Sequence, residues 1–157
     1  EVLRKHPRPY AAGRRVHPPD RIEWTHHEEK FTFGDLIRHL AATERYMFAE
    51  NVQGNQSLYP GHGRDLADGY DDVLAYMHDR HDAAMEIFGG LDEEAMNRKC
   101  PTPAGIAMTT WKWLCAMVEH KVHHRAQVYL MLGILGVATP PLYGLTEEEV
   151  KEWSSPA

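Results

Sequence analysis

Apolar residues recur at helical spacing in three long stretches of the chain, at about residues 32–51, 64–88 and 108–135. The first stretch opens with Thr32 and Asp35, which have the spacing of a helix-capping motif. Gly89-Gly90 follows the second stretch, and Gly136 follows the third, as expected where helices end. No segment alternates convincingly between apolar and polar residues. The pattern therefore predicts an all-α fold, most simply a helical bundle with three long helices from this chain.

The segments between these helices are irregular in different ways. Residues 91–107 contain prolines and a glycine and are too long for a hairpin, so we expect a mostly extended crossover there. A short terminal helix is predicted from Thr146, because three glutamates fill its first turn. Residues 1–31 show no sustained period. We therefore divide the chain into an irregular N-terminal segment, 1–31, and one helical domain, 32–157.

Composition narrows the class of protein. The chain has 157 residues, of which 43% are hydrophobic and 25% charged, as is typical of one compact domain. A formal charge of -6 without a basic run argues against nucleic-acid binding. The sequence lacks the roughly 18 consecutive apolar residues of a membrane span. Residue 1 is Glu and not Met, so we expect that an upstream segment was removed or omitted.

The two cysteines point to a reducing compartment. Cys100 and Cys115 do not form a CxxC motif, and a chain of this size does not need a disulfide. We therefore expect free thiols in a cytoplasmic protein. Cys115 is predicted to be a small core residue and Cys100 a loop thiol. Neither has a visible activating base, so we expect no nucleophilic role for them.

His120 and His124 interrupt the apolar stripe of the third helix. They are four residues apart, which places both rings on one helix face, within reach of a single divalent ion. Two buried imidazoles need partners, because unsatisfied polar groups are costly to bury. A metal site normally needs a third protein ligand. His39, which borders the apolar stripe of the first helix, is the best candidate, whereas His78 is expected to be exposed and His62 cannot be oriented from sequence.

Other polar residues on these stripes could support the site. Gln127 lies one turn beyond His124 and could bond either to a ligand or to another helix. Glu44 could orient a histidine or move protons, but pairing with an arginine is an equal alternative. His123 could stand behind the ligands, although a packed or half-exposed role is the simpler interpretation.

The HxxxH spacing differs from that of the zinc proteases. In those enzymes a glutamate follows the first histidine and serves as general base, whereas here Lys121 occupies that position. Peptide hydrolysis by that mechanism is therefore disfavoured. Three histidine ligands would leave coordination positions open to water or substrate, as in catalytic sites. Zn²⁺, Ni²⁺, Fe²⁺ and Mn²⁺ all remain possible with such ligands.

Two segments carry a family resemblance, DLIRHLAATER at 35–45 and HKVHHRAQ at 120–127, the second followed by Leu132-Gly133. With these motifs the chain resembles the DinB-like (DinB/YfiT-type) family of bacterial four-helix-bundle proteins, over about residues 24–144. The resemblance implies an up-down-down-up bundle with a long crossover and a metal triad at His39, His120 and His124. The family fold begins with a long helix that 1–31 do not supply convincingly. We therefore expect that helix to be incomplete, upstream of residue 1, or replaced by a different N-terminal arrangement.

The resemblance leads to two hypotheses of function. Similar proteins include enzymes that use a low-molecular-weight thiol such as bacillithiol or mycothiol, which implies a metal-dependent S-transferase acting on small electrophiles. The alternative is a non-catalytic metal-binding module linked to stress or DNA damage. In either case we expect a small-molecule ligand or a metal, no nucleic acid, no membrane, and a homodimer, since a missing first helix would uncover apolar surface.

Overall fold

The computed structural model describes residues 19–141 and 144–154. Its secondary structure is mostly helical, which confirms the predicted fold class. Three consecutive elements form one continuous helix, called here the first rod: α1 (Phe33–Thr43), the π-segment (Glu44–Phe48) and α2 (Ala49–Val52). The other helices are α3 (Tyr70–Gly89), α4 (Glu93–Asn97), α5 (Thr110–Ile134) and α6 (Glu147–Ser154). A 3-10 turn at Pro19–Arg21 precedes them.

The first rod begins as the sequence predicts. The Thr32 hydroxyl accepts a hydrogen bond from the backbone N–H of Asp35 at 3.0 Å, and the Asp35 carboxylate accepts one from the N–H of Thr32 at 3.0 Å. This reciprocal capping satisfies two N–H groups that have no partner within the helix. The π-segment, which the sequence did not reveal, joins α1 to α2 without ending the rod.

The second long helix starts later than predicted. The apolar pattern suggested a start near Arg64, but α3 begins at Tyr70, directly after Gly69. Gly69 has a φ of +86°, a left-handed conformation that glycine adopts at little cost and that a helix cannot contain. Residues 53–69 therefore form one long loop between α2 and α3.

The crossover contains more regular structure than the mostly extended chain that we expected. It carries α4 and two short strands, β1 (Lys99–Cys100) and β2 (Met108–Thr109), paired antiparallel with Lys99 opposite Thr109. Cys100 is 2% exposed in β1, and burial raises the pKa of its thiol. The prediction of a loop thiol was therefore wrong. Cys115 is exposed on α5, so its assignment to the core was also wrong.

The first rod is central to the packing of the long helices, because α1 packs against both α3 and α5. The core beside it contains Ile22, Phe33, Leu36, Val73, Met131 and Leu132. Arg38 of α1 is fully buried and paired with two carboxylates, those of Glu23 at 2.8 Å and Asp35 at 2.9 Å. The segment before α1 is thus held against the first rod by the ion pair of Glu23 with Arg38.

An apolar groove of about 590 Å³ lies between α1, α3 and α5. Exposed Met77, Val118 and Val122 line it. The predicted first helix is not among the described residues, and the homodimer that we expected to cover apolar surface stays a prediction. Over the described residues, none of the helices combines the length and apolar content that a bilayer crossing requires.

Candidate metal centre

Three histidine rings meet where α5 faces α1. The Nε2 atom of His120 lies 3.0 Å from Nε2 of His39 and 3.1 Å from Nε2 of His124. Each of the three residues offers a ring nitrogen within 4.8 Å of the others, and His124 is only 8% exposed. The structure thus brings together the three histidines that the sequence singled out.

Two neighbouring side chains engage the opposite nitrogens of two of these rings. The Nδ1 atom of His124 lies 2.7 Å from Oε1 of Gln127, which can only accept, so this nitrogen carries the proton. The Nδ1 atom of His39 lies 2.7 Å from the Tyr59 hydroxyl, and that hydroxyl lies 3.2 Å from Nδ1 of His62. A hydroxyl that accepts from His39 and donates to His62 satisfies both contacts. In this arrangement the Nε2 lone pairs of His39 and His124 point toward His120.

The environment keeps the rings neutral. Burial, with the neighbouring histidines, lowers the pKa of His39 to about 4. Burial lowers the pKa of His120 to about 4 as well, helped by His124, His123 and Lys121. The pKa of His124 is also lowered, mainly by burial and against the Gln127 hydrogen bond. Neutral imidazole is the form that binds metal ions.

The chemistry of the three nitrogens fits a shared cation. Nitrogens bound to one tetrahedral zinc ion at about 2.0–2.1 Å lie about 3.3 Å apart, close to the 3.0 and 3.1 Å that separate Nε2 of His120 from the other two Nε2 atoms. Without a cation, His120 has a single proton to offer two facing lone pairs. Its Nδ1 atom is also buried, and it has no hydrogen-bond partner in the described part of the chain. A divalent ion could satisfy all three Nε2 atoms at once.

Aromatic rings surround the histidines. The ring of Phe31 lies 4.5 Å from that of His62 and 5.5 Å from that of His39, centroid to centroid. The ring of Phe48 lies 6.1 Å from that of His120. These rings reduce the access of water, which strengthens electrostatic interactions in the site.

The supporting residues suggested by the sequence have different positions. Gln127 bonds to His124 on its own helix, which connects it to the triad. Glu44 is 4% exposed and accepts from Lys121 and from His81 at 3.0 Å, two residues outside the triad. His123 is exposed, with its ring centroid 5.0 Å from that of His124.

Sequence reasoning missed Tyr59 and Phe31 and left the direction of His62 open. Tyr59 and His62 lie in the long loop between α2 and α3, and Phe31 precedes α1. Loop residues have no periodicity from which their direction can be inferred. The only available signal was their side-chain chemistry, a phenol and an imidazole three residues apart in Tyr59-Pro60-Gly61-His62.

Comparisons with known proteins identify the family of this chain. The model of the DinB superfamily matches residues 14–128, more than half of the chain. The chain belongs to the DinB superfamily. Among solved structures, this DinB chain is similar to a DinB-like protein, YjoA, from Bacillus subtilis, with a TM-score of 0.65 and 19% identity over 82% of this chain and 85% of that one. At this identity the likeness concerns the fold. No curated protein matched the sequence.

Proposed function

We propose that this DinB protein binds a divalent metal ion through His39, His120 and His124 and promotes the transfer of a small thiol to an electrophile. The observation that carries the proposal is the convergence of three Nε2 atoms, with separations of 3.0 and 3.1 Å to that of His120. Zn²⁺, Ni²⁺, Fe²⁺ and Mn²⁺ all suit three imidazole ligands. Such an ion, with a position left open, would bind a thiol and lower its pKa.

The protein's own residues would hold and shield the site. Tyr59 and Gln127 fix the orientation of His39 and His124, as outer partners of metal-binding histidines usually do. Phe31 and Phe48 restrict water around the rings. Lys121 is bonded to buried Glu44 and is therefore unsuited to act as a general base.

The thiol is proposed to come from outside the chain. Burial raises the pKa of Cys100, which makes its thiol a poor nucleophile. The resemblance to thiol-using DinB-like enzymes suggests a low-molecular-weight thiol of the bacillithiol or mycothiol type. In the reaction the thiol would release its proton to solvent water, its sulfur would form a bond to the electrophilic carbon, and the leaving group would depart with the electrons of the broken bond.

Metal binding is the first test. We expect protein purified without chelators to carry close to one equivalent of a divalent metal, measured by elemental analysis. His120→Ala should lose it, whereas His78→Ala, at an exposed histidine of α3, should retain it. Metal-free wild-type protein that also fails to bind added Zn²⁺, Ni²⁺, Fe²⁺ or Mn²⁺ would refute the proposal.

Turnover is the second test. Metal-loaded protein should conjugate bacillithiol to monochlorobimane with release of chloride, followed by the fluorescence of the product. His120→Ala should remove this activity, and His78→Ala should keep it. Metal retention without thiol-dependent turnover across a broad panel of thiols and electrophiles would instead support the stress-linked binding module.

We also propose that the protein is cytoplasmic and forms a homodimer. Cys100 and Cys115 are free thiols, which suits a reducing compartment. The apolar groove between α1, α3 and α5 offers a surface that a second copy could cover. Light scattering of purified protein at micromolar concentration would measure the mass directly.

A further inference from the structure

A cavity of about 460 Å³ lies beside the histidine triad. Its volume falls within the range of roughly 300–1,000 Å³ found for small-molecule sites. The lining combines four apolar side chains with polar ones from the segment before α1 and from α5. These residues are His26, Glu29, Lys30, Phe31, Leu36, Gln127, Leu130 and Met131.

The cavity and the triad share two side chains. Phe31 lines the cavity and packs its ring against His39 and His124, with centroids 5.5 and 6.3 Å apart. Gln127 lines the cavity and accepts the hydrogen bond from His124. A molecule in the cavity would therefore contact the same groups that surround the proposed metal.

One apolar residue of the cavity lining is exposed to solvent. Leu130 of α5 is 65% exposed, although Leu36 and Met131 in the same cavity are almost fully buried. An exposed apolar side chain beside a buried apolar surface favours an apolar ligand. The exposed ionic groups, Glu29 and Lys30, carry opposite charges, so the lining gives no net preference for an anion or a cation.

Gln127 adds one directional group. Its carbonyl oxygen is engaged by His124, which leaves the two N–H donors of the same amide for other partners. Because the bond to His124 fixes the amide, these donors have a defined orientation relative to the triad. A ligand with an acceptor oxygen could use them.

We propose that this cavity binds the electrophilic substrate, a neutral and largely apolar molecule that carries a carbonyl or similar acceptor oxygen. The inference rests on the proposed function and adds the substrate class and its binding residues. Phe31, Leu130 and Met131 contact the apolar body. Gln127 donates to the acceptor oxygen and so turns the reactive end toward the triad.

Benzophenone is a suitable probe because it is neutral, apolar and a ketone. On irradiation its carbonyl carbon forms a bond to a nearby side-chain carbon, and the C–H hydrogen moves to the ketone oxygen. We expect saturable labelling of the full chain at Leu130 or Met131, located by mass spectrometry of peptides. The anionic analogue 4-benzoylbenzoate should label the same residues less.

Two matched variants on α5 test the site. Leu130→Glu places a charge in the cavity at an exposed position, so the fold should tolerate it and labelling should fall roughly tenfold or more. Ile134→Glu changes an apolar residue that is 56% exposed one turn further along, outside the cavity lining, and should leave labelling unchanged. Equal labelling of wild type and Leu130→Glu would overturn the inference, as would modification confined to other surfaces.

The role of Gln127 is tested by competition against isotopically labelled benzophenone in metal-free protein. Unlabelled benzophenone should reduce incorporation of the labelled probe more than diphenylmethane, which has a similar shape without the oxygen, and Gln127→Leu should remove this difference. An unchanged difference would exclude Gln127 as the donor.

Failure of this inference can be distinguished from failure of the proposed function. If wild-type protein binds metal and turns over a neutral electrophile but Leu130→Glu leaves its KM unchanged, only the cavity assignment is wrong. If the protein binds no metal, the proposed function fails, while photolabelling still reports whether the cavity accepts a neutral ketone.

Discussion

Arg38 and His39 are adjacent on α1, and their polar surroundings differ in one decisive respect. The Arg38 guanidinium is fully buried and bonds to two carboxylates and to the carbonyls of His62 and Ala67, at 2.8 and 2.9 Å. Around His39, the Nε2 atoms of His39 and His124 lie 3.0 and 3.1 Å from that of His120, and the buried Nδ1 of His120 has no partner within the described residues. One polar cluster is complete, and the other is not.

This difference distinguishes a structural role for the Arg38 cluster from a ligand-binding role for the His39 cluster. Buried polar groups are nearly always hydrogen-bonded in folded proteins, so a fully satisfied cluster needs only a structural explanation. The histidine cluster beside it, held by the same helix, has the ligand arrangement of the proposed metal centre. We therefore expect substitutions around Arg38 to change the stability of the fold, and substitutions around His39 to change ligand binding.

The largest effect is expected at Arg38. Arg38→Met would leave the carboxylates of Glu23 and Asp35 without their buried partner, which should lower the free energy of unfolding by about 3–5 kcal/mol. Urea denaturation at neutral pH measures this loss of unfolding free energy. Arg64→Met is the control, because the pair of Arg64 with Asp68 is exposed and should contribute little to stability. Similar losses in the two variants would show that the Arg38 cluster is not structural.

The triad should affect stability mainly through the metal. At a free metal concentration of about 100 times Kd, binding should stabilise the folded wild-type protein by about 2.7 kcal/mol. His124→Ala should remove this gain, measured as the shift of the urea midpoint with and without metal. A shift that persists in the variant would mean that the ion binds elsewhere.

The residues that bond to the triad histidines, Tyr59 and Gln127, should affect the affinity for the metal. Tyr59→Phe and Gln127→Ala each remove a group bonded to a triad histidine and should weaken metal binding roughly 10–100-fold, measured by competition with a chromogenic chelator. Tyr76→Phe is the control, since the buried Tyr76 hydroxyl has no hydrogen-bond partner in the described part of the chain. Unchanged affinity in Tyr59→Phe would limit that residue to packing.

The smallest effect is expected from the carboxylate of the capping motif. Burial raises the pKa of Asp35, but hydrogen bonds from Thr32 and Arg38 outweigh it and hold the pKa below the ordinary value of 3.8. The unfolded chain therefore binds this proton at higher pH than the folded one, and the stabilisation is present above pH 3.8 and lost as pH falls below it.

Asp35→Asn should thus lower stability by about 1 kcal/mol at neutral pH and flatten its acid dependence between pH ~5 and ~3. Urea denaturation over this pH range measures both effects. A wild-type slope in Asp35→Asn would contradict the assignment.

The fold could be predicted where apolar spacing and capping chemistry agree. Thr32 and Asp35 marked the start of α1, and Gly136 follows the end of α5 as expected. The late start of α3 was missed because apolar residues before Gly69 continue the helical spacing, although the backbone at Gly69 is not helical. The strands of the crossover have two residues each and pair with residues eight to ten positions away, so they are too short to show an alternating pattern in the sequence.

The candidate site was predictable on the helices and not in the loops. His120 and His124 share a face because of their spacing, and His39 borders the facing stripe. Tyr59 and His62 reach the site through a long loop fixed by long-range contacts, including the bond from Arg38 to the His62 carbonyl. Such contacts exist only in the folded chain.

The π-segment makes the geometry of the site sensitive to the number of residues between His39 and Phe48. His39 precedes this segment and Phe48 ends it, yet both contact His120. Nine residues of regular α-helix rotate through about 900°, which would put the two side chains on opposite faces, whereas a π-turn accommodates one more residue per turn and reduces the rotation. The Tyr46 carbonyl in the segment also accepts the N–H of Leu58, next to Tyr59. Adding one residue to Glu44–Phe48 would therefore turn Phe48 and the tyrosine loop away from the histidines by about 100°, even if every ligand were kept, whereas removing one would restore regular α-helix with nearly the same faces.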